Sequence, residues 1–151
     1  MIQRIQTVYL LLAAVVSSIC LFMPLGHFEP ATMGVGYRLF NFYELDAYHH
    51  ISIRVLPLFV ILVVQVVLSI YTIFKYTNRK RQMTLCTLSV VLLLAWYGVL
   101  VLFGYLLGHE GHTFHPQWTV SLPIVSCLFV LLARRSIVSD EKLVRAADRI
   151  R

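Results

Sequence analysis

Lys75–Gln82 reads KYTNRKRQ and separates two long apolar runs near the middle of the 151-residue chain. Lys75, Arg79, Lys80 and Arg81 lie within this stretch, whereas the apolar runs on either side of it carry no charge. A short basic segment between two such runs is typical of a cytoplasmic turn that joins two transmembrane helices. The stretch therefore predicts a helical hairpin and also the side of the membrane on which the hairpin turns.

The composition of the chain is that of a membrane protein. Hydrophobic residues make up 59% of it and charged residues only 13%, with a mean hydropathy of +0.78. Soluble domains carry about 25% charged residues, so this chain has too few to cover a globular surface. Its length supports one domain. The three cysteines all lie in apolar runs, which predicts packing residues rather than a disulfide framework or a thiolate metal site.

Four apolar stretches are predicted to cross the membrane as helices. They are residues 5–24, 53–75, 83–107 and 118–135. Val55–Phe74 contains 20 residues without a charge, which at 1.5 Å per residue spans the roughly 30 Å hydrocarbon core. Pro24 is expected to end the first helix, and Pro57 falls in the first turn of the second, where its missing N–H is tolerated. The predicted fold class is an all-α membrane protein, a four-transmembrane-helix bundle.

Two segments outside the spans have patterns of their own. Residues 27–52 combine glycines, prolines and several aromatic residues, which predicts a small extracytoplasmic cap between helices 1 and 2. The cap is either a short strand pair or an aromatic layer at the headgroup level. Residues 139–151 begin with Ser139 as a potential N-cap and carry apolar residues on one helical face, which predicts a separate amphipathic tail helix on the cytoplasmic surface. The expected organisation is therefore a transmembrane domain, 1–138, followed by this tail.

The distribution of basic residues predicts the orientation. If the N-terminus, the basic turn and the tail share one side, that side holds eleven of the thirteen basic residues. They are Arg4, Lys75, Arg79, Lys80, Arg81, Arg134, Arg135, Lys142, Arg145, Arg149 and Arg151. The positive-inside rule then places the N- and C-termini in the cytoplasm. The net charge of +6 indicates contact with anionic lipid, and the basic residues are too dispersed to form a nucleic-acid-binding face.

All six histidines fall on the predicted outer side of the membrane. The loop GHEGHTFH places His109, Glu110, His112 and His115 close together in the sequence. Imidazole and carboxylate groups are ligands that zinc and copper accept, so the four residues are a candidate metal site. A sensory role is a related hypothesis, because histidine changes its charge within the physiological pH range. The alternative is a polar loop whose histidines bond to water or to the backbone at the headgroup level.

The sequence offers no catalytic arrangement. No Ser-His-Asp or Cys-His set has a usable spacing, and no Gly-rich phosphate-binding loop is present, so the chain is predicted not to be an enzyme. Between their interfacial ends the spans carry no Asp, Glu, Lys, Arg or His, which disfavours a proton relay or an intramembrane haem. Gln65 is the most polar deep residue. Such an amide usually bonds to a neighbouring helix, and a polar cavity around it would be needed for a transporter.

The two ends of the chain carry a family resemblance. The start, MIQRIQTVYLLLAA, and the finish, ARRSIVSDEKLVRAADRIR, resemble the domain-of-unknown-function 4293 family, small four-helix membrane proteins of Bacteroidetes. The motifs that carry this resemblance are IQRIQT and DEKLVRxxDRxR, and Pro123 in the fourth span also fits the family. The resemblance implies a multi-pass protein of the bacterial inner membrane. It brings no activity, cofactor or catalytic residue, and the histidine-bearing loops are not part of it.

Both matching ends lie on the predicted cytoplasmic side, so they form the candidate partner-binding surface. The residues concerned are Gln3, Arg4, Gln6, Asp140, Glu141, Lys142, Arg145, Asp148, Arg149 and Arg151. The alternative is that these residues only anchor helices to lipid headgroups.

Three functions remain open at this point. The preferred hypothesis is a non-enzymatic scaffold or accessory subunit of a membrane complex, which binds a membrane-protein partner or a second copy of itself. Pairs of small residues four apart, Ala13 with Ser17 and Ala14 with Ser18, support it because they let helices approach closely. The alternatives are an extracytoplasmic metal-binding or sensory protein and a small-molecule or lipid transporter.

Overall fold

The computed structural model of the protein describes residues 3–30, 36–46, 51–75, 78–109 and 112–148. In chain order the elements are α1 (Gln3–Phe22), β1 (Pro24–Pro30), β2 (Tyr37–Phe40), β3 (Glu44–Asp46), β4 (Ile51–Ser52), α2 (Leu56–Phe74), α3 (Arg79–His109), β5 (His112–Pro116), a 3-10 helix (Trp118–Ser121) and α4 (Leu122–Asp148). The helices form a bundle in which α1 packs against α2 and α4, and α3 packs against the same two helices.

Four helices in the described part of the chain are long and apolar enough to cross a membrane. The apolar segments are Ile5–Phe22, Leu56–Phe74, Arg79–Leu106 and Trp118–Val144. This confirms the prediction of four helices of membrane-spanning length, and such helices are compatible with a membrane protein. α2 carries Pro57 in its first turn, as expected. α3 begins inside the basic stretch, because the Asn78 side chain accepts a hydrogen bond from the Arg81 N–H at 3.2 Å and caps the helix.

The prediction of an all-α fold is confirmed only in part: the described chain is mostly helical, but its polar segments form an antiparallel sheet of five strands. The strand order is β4-β3-β2-β1-β5. Within it, β1 pairs with β2 on one side and with β5 on the other, so the sheet joins the segment between α1 and α2 to the segment between α3 and α4. Residues alternate between the two faces, as strand geometry requires. Phe28 and Leu39 are buried against the helices, whereas His27 and Arg38 are exposed.

The close approach of β1 to β5 depends on Gly26. A Cβ atom at this position would lie 2.5 Å from the carbonyl oxygen of His115 and 2.8 Å from the Phe114 ring. Both distances are shorter than van der Waals contact allows, so only glycine lets the two strands pair here.

The predicted tail helix is not separate from the fourth span. α4 continues from Leu122 to Asp148 without a break at Ser139. The stretch from 134 to 148 contains no glycine or proline, so nothing in it stops the helix once the span has formed.

Among the residues that the structure describes, the core of the bundle contains two apolar clusters. The sheet-end cluster lies under the sheet and contains Cys20, Leu25, Phe28, Leu39, Val55, Leu58, Leu62, Leu93, Trp96 and Leu100. The turn-end cluster lies toward the α2–α3 turn and contains Leu10, Ala13, Cys86, Val130, Ala133 and Ile137. We call the corresponding ends of the bundle the sheet end and the turn end.

Candidate functional site

The predicted metal ligands are only partly described by the structure. Residue Glu110 and the side chains of His109 and His112 lie outside the described residues. The side chain of His115 is described, and it lies on the exposed face of β5. Among the side chains that the structure describes, no group of three His, Cys, Asp or Glu residues is arranged as a ready metal site. The metal site predicted in the loop, His109, Glu110, His112 and His115 (the loop set), therefore stays a prediction.

His115 instead has partners on β1 that the sequence did not indicate. His27 is its cross-strand neighbour, and the two rings stack with centroids 5.4 Å apart and planes 19° apart. Glu29 lies two residues further along the same face. Its carboxylate oxygens are 3.4 Å from His27 Nε2 and 3.7 Å from His115 Nε2. All three side chains are more than half exposed, so the electrostatic attraction between them is weak.

An open groove borders the same group of side chains. Its volume is about 810 Å³, and Arg38, Tyr37 and Phe40 line it together with His27 and Glu29. The polar face of the sheet thus presents a cation, a carboxylate and imidazoles beside aromatic rings.

The sheet is anchored to the bundle by Asn41, which sequence reasoning did not single out. Its side chain is fully buried. The Asn41 Nδ2 group donates to the Cys20 carbonyl at the end of α1 at 2.7 Å. Its Oδ1 accepts from the indole Nε1 of Trp96 in α3 at 3.1 Å. The Asn41 amide therefore provides a hydrogen-bond partner for a backbone carbonyl of α1 and for a side-chain N–H of α3.

The turn end carries a second polar site, formed by residues from the predicted partner surface. Gln6 and Asp140 are both buried, and the Gln6 Nε2 group donates a hydrogen bond to Asp140 Oδ2. Arg79 Nη1 donates to the backbone carbonyl of Asp140 at 3.0 Å. The other carboxylate oxygen, Asp140 Oδ1, has no hydrogen-bond partner among the described residues. Gln6 and Asp140 thus join α1 to α4 within the chain.

The other predicted partner residues differ in how far the structure describes them. Glu141 is half-buried and Lys142 is exposed. The side chains of Gln3, Arg4, Arg145 and Asp148, and residues Arg149 and Arg151 entirely, lie outside the description. Arg79 is predicted from the sequence only as part of the basic turn, and its contact with α4 is not visible in any local pattern.

The terminal motifs of the sequence therefore meet at one place in the fold. A model of the domain of unknown function DUF4293 matches residues 2–150. The chain belongs to the DUF4293 family. No protein of curated function matches it. In this DUF4293 chain the IQRIQT start contributes Gln6 and the DEKLVR finish contributes Asp140, so the two motifs are in direct contact through that hydrogen bond.

A further groove lies between α1 and α2. Its volume is about 610 Å³ and its lining is almost entirely apolar, running along α1 from Thr7 to Phe22. Ala14 and Ser18 line the groove, and the Ser18 hydroxyl donates to the Ala14 carbonyl at 2.8 Å. The neighbouring pair, Ala13 and Ser17, faces α4 instead, where Ser17 bonds to Ser126. One small-residue pair thus packs inside the bundle and the other borders its surface.

Proposed function

We propose that this chain is a non-enzymatic scaffold or accessory subunit of a membrane complex, in the bacterial inner membrane with both termini in the cytoplasm. The observation that carries the proposal is the groove between α1 and α2. Small residues at four-residue spacing allow a transmembrane helix to approach closely. Since Ser18 already bonds to its own helix, an apolar partner helix would bury no unpaired hydroxyl there. We infer that the groove receives one transmembrane helix of a partner protein.

The charges at the two ends of the bundle support the orientation. The turn end carries the described basic residues Arg79, Lys80, Arg81 and Lys142, and the positive-inside rule assigns such an end to the cytoplasm. The sheet with its histidines would then be extracytoplasmic. The exposed Lys142, with the basic residues around it, would face anionic headgroups or a cytoplasmic part of the partner.

Site-specific photocrosslinking in cells tests the partner helix. A crosslinker at Val15, which is 47% exposed beside the groove, is expected to give one discrete adduct with a single protein. The same crosslinker at Val91 on α3, which is 53% exposed, is the matched control and is expected to give lipid adducts only. If both positions give the same pattern, or if the chain purifies from mild detergent as a lone monomer, the scaffold proposal fails.

Cysteine labelling tests the orientation. With Cys127 replaced by alanine, Arg38→Cys on the sheet is expected to react with a membrane-impermeant maleimide in spheroplasts. Lys80→Cys at the exposed start of α3 is expected to react only after lysis. The physical reason is that the reagent cannot cross the hydrocarbon core. The opposite pattern would invert the proposed topology.

A second candidate function, metal binding or sensing on the outer sheet face, is favoured by the convergence of His27, Glu29 and His115. Two ligands of a tetrahedral zinc ion lie about 3.4 Å apart when their bonds are about 2.1 Å long. The His27 Nε2 to Glu29 Oε1 distance is 3.4 Å, and the longer distance to His115 would need a small rotation of exposed side chains. This candidate shares only His115 with the loop set.

Measurement of the metal bound per chain tests this second candidate function. Purified protein dialysed against zinc or copper is expected to retain one ion per chain, and both His27→Ala and His115→Ala to lose it. His49→Ala is the control outside the trio. Metal that survives His27→Ala but not His109→Ala would support the loop set instead, and no stoichiometric metal in any form would remove both versions.

The transporter interpretation receives less support. It requires a polar cavity near Gln65, and neither of the two grooves described above is lined by this residue.

A further inference from the structure

A polar residue occupies the buried position between the two apolar clusters in every helix of the bundle. We call these residues the middle polar layer: Ser17 in α1, Gln65 and Ser69 in α2, Ser89 in α3 and Ser126 in α4. None of them is more than 1% exposed. The apolar clusters lie on either side of the layer, so the bundle buries these polar side chains away from bulk solvent and from the headgroups.

The α1–α4 half of the layer is closed by direct hydrogen bonds. The Ser17 hydroxyl donates to the Ser126 hydroxyl at 2.8 Å, and the Ser126 hydroxyl donates to the Ala13 carbonyl at 3.0 Å. Every hydroxyl here has a protein partner, as burial in an apolar medium demands.

The α2–α3 half of the layer is not closed in this way. Gln65 Nε2 donates to Ser69 Oγ at 3.1 Å, which satisfies only the amide nitrogen. Gln65 Oε1 and Ser89 Oγ have no hydrogen-bond partner among the residues that the structure describes. Both side chains are almost completely buried. Without a hydrogen-bond partner, each of the two oxygens would therefore raise the free energy of the folded state.

The register of α2 against α3 places Gln65 and Ser89 at the same height in the bundle. At the turn end, Gln82 Nε2 in α3 donates to the carbonyl of Thr72 in α2 at 3.2 Å. Gln65 lies seven residues before Thr72, and Ser89 lies seven residues after Gln82. Seven residues are about two helical turns, so each residue stays on the same helix face and moves about 10 Å along the axis. Because α2 and α3 are antiparallel, Gln65 and Ser89 meet at the same height.

We propose that one water molecule bridges Gln65 Oε1 and Ser89 Oγ within the membrane-spanning core. Water can donate to the amide oxygen and exchange a second hydrogen bond with the serine hydroxyl, which matches the two open groups. Buried waters occupy polar sites of this kind, with two or more protein partners. The bridge ties α2 to α3 at mid-height, as Ser17 and Ser126 tie α1 to α4.

Infrared difference spectra of the full chain in lipid bilayers, hydrated with H2O and with H2¹⁸O, test the proposal. The wild type is expected to show an isotope-sensitive O–H stretching band from an internal water. Gln65→Leu and Ser89→Ala are each expected to lose it. Ser126→Ala is the matched control, a buried serine in the same layer with a direct partner, and is expected to keep the band.

Two results would overturn the bridge: no isotope-sensitive band in the wild type, or a band that persists in both Gln65→Leu and Ser89→Ala.

Thermal unfolding in detergent gives a second readout. A shared water predicts that Gln65→Leu lowers Tm less in the Ser89→Ala background than in the wild type, whereas additive Tm losses would count against it. A Tm that rises with Na⁺ but not with choline would identify a cation as the occupant and so refute water. Should Gln65→Leu fail to fold, Ser89→Ala alone decides the spectroscopic test.

Discussion

Replacing Asn41 by alanine is expected to lower the free energy of unfolding by about 3 kcal/mol. The substitution removes the two short hydrogen bonds of a fully buried amide, to the Cys20 carbonyl and from the Trp96 indole N–H, together with its weaker 3.9 Å contact to Cys20 Sγ. It also leaves a cavity beneath the sheet, which adds to the loss. Chemical unfolding of the detergent-solubilised chain measures the change, and tryptophan emission reports the altered surroundings of Trp96.

Asn78→Ala is the matched control for this prediction. Asn78 is exposed, and its side chain makes a single helix-capping bond to the Arg81 N–H. Its loss is expected to cost about 1 kcal/mol. A loss at Asn41 no larger than the loss at Asn78 would show that the sheet is not anchored through this amide.

Gln6→Leu is expected to destabilise the chain by about 3 kcal/mol, because among the described residues it leaves the buried Asp140 side chain with no hydrogen-bond donor. The double variant Gln6→Leu with Asp140→Leu is expected to recover most of this loss, since replacing both polar partners by apolar groups is nearly neutral. Chemical unfolding of the wild type, the two single variants and the double variant forms a complete cycle.

The coupling free energy from that cycle, which is the difference between the effect of the double variant and the sum of the two single effects, tests the contact. If the effects of Gln6→Leu and Asp140→Leu simply add, the contact between the two terminal motifs contributes nothing to stability. The hydrogen bond from Arg79 to the Asp140 backbone carbonyl does not require the carboxylate. It is therefore expected to remain in all four chains of the cycle and to cancel from the coupling free energy.

These two sites assign different roles to the two ends of the bundle. Asn41 joins the sheet to α1 and α3, and Gln6 joins the start of the chain to its finish. If the cycle shows coupling, the family motifs are explained first by stability of the fold. A partner surface at the turn end would then rest on exposed side chains such as Lys142 rather than on Gln6 or Asp140.

The four helices were predictable because their signals are local. The length of an uncharged run such as Val55–Phe74 shows directly that it can span a membrane, and Pro57 indicates where helix α2 begins. The basic residues Arg79, Lys80 and Arg81 likewise mark the hairpin turn without reference to any other part of the chain.

The sheet was not predictable in the same way, because its central pairing is between β1 and β5. His27 and His115 are neighbours only across these strands, so no window of sequence contains both. The predicted loop site therefore kept His115 and missed Glu29. The tail differs from its prediction for a related reason: Ser139 has the chemistry of an N-cap, but α4 continues through it without a break.

The amino-acid sequence by itself determined that the protein has four membrane-length helices, and it predicted which of their ends is basic. Hydrophobicity and charge act residue by residue, so they can be read along the chain. Tertiary structure alone decided which polar groups became partners: Gln6 with Asp140, Asn41 with Trp96, and Ser17 with Ser126. A polar side chain buried among packed helices must find its hydrogen bond in space, and that partner can lie anywhere in the sequence.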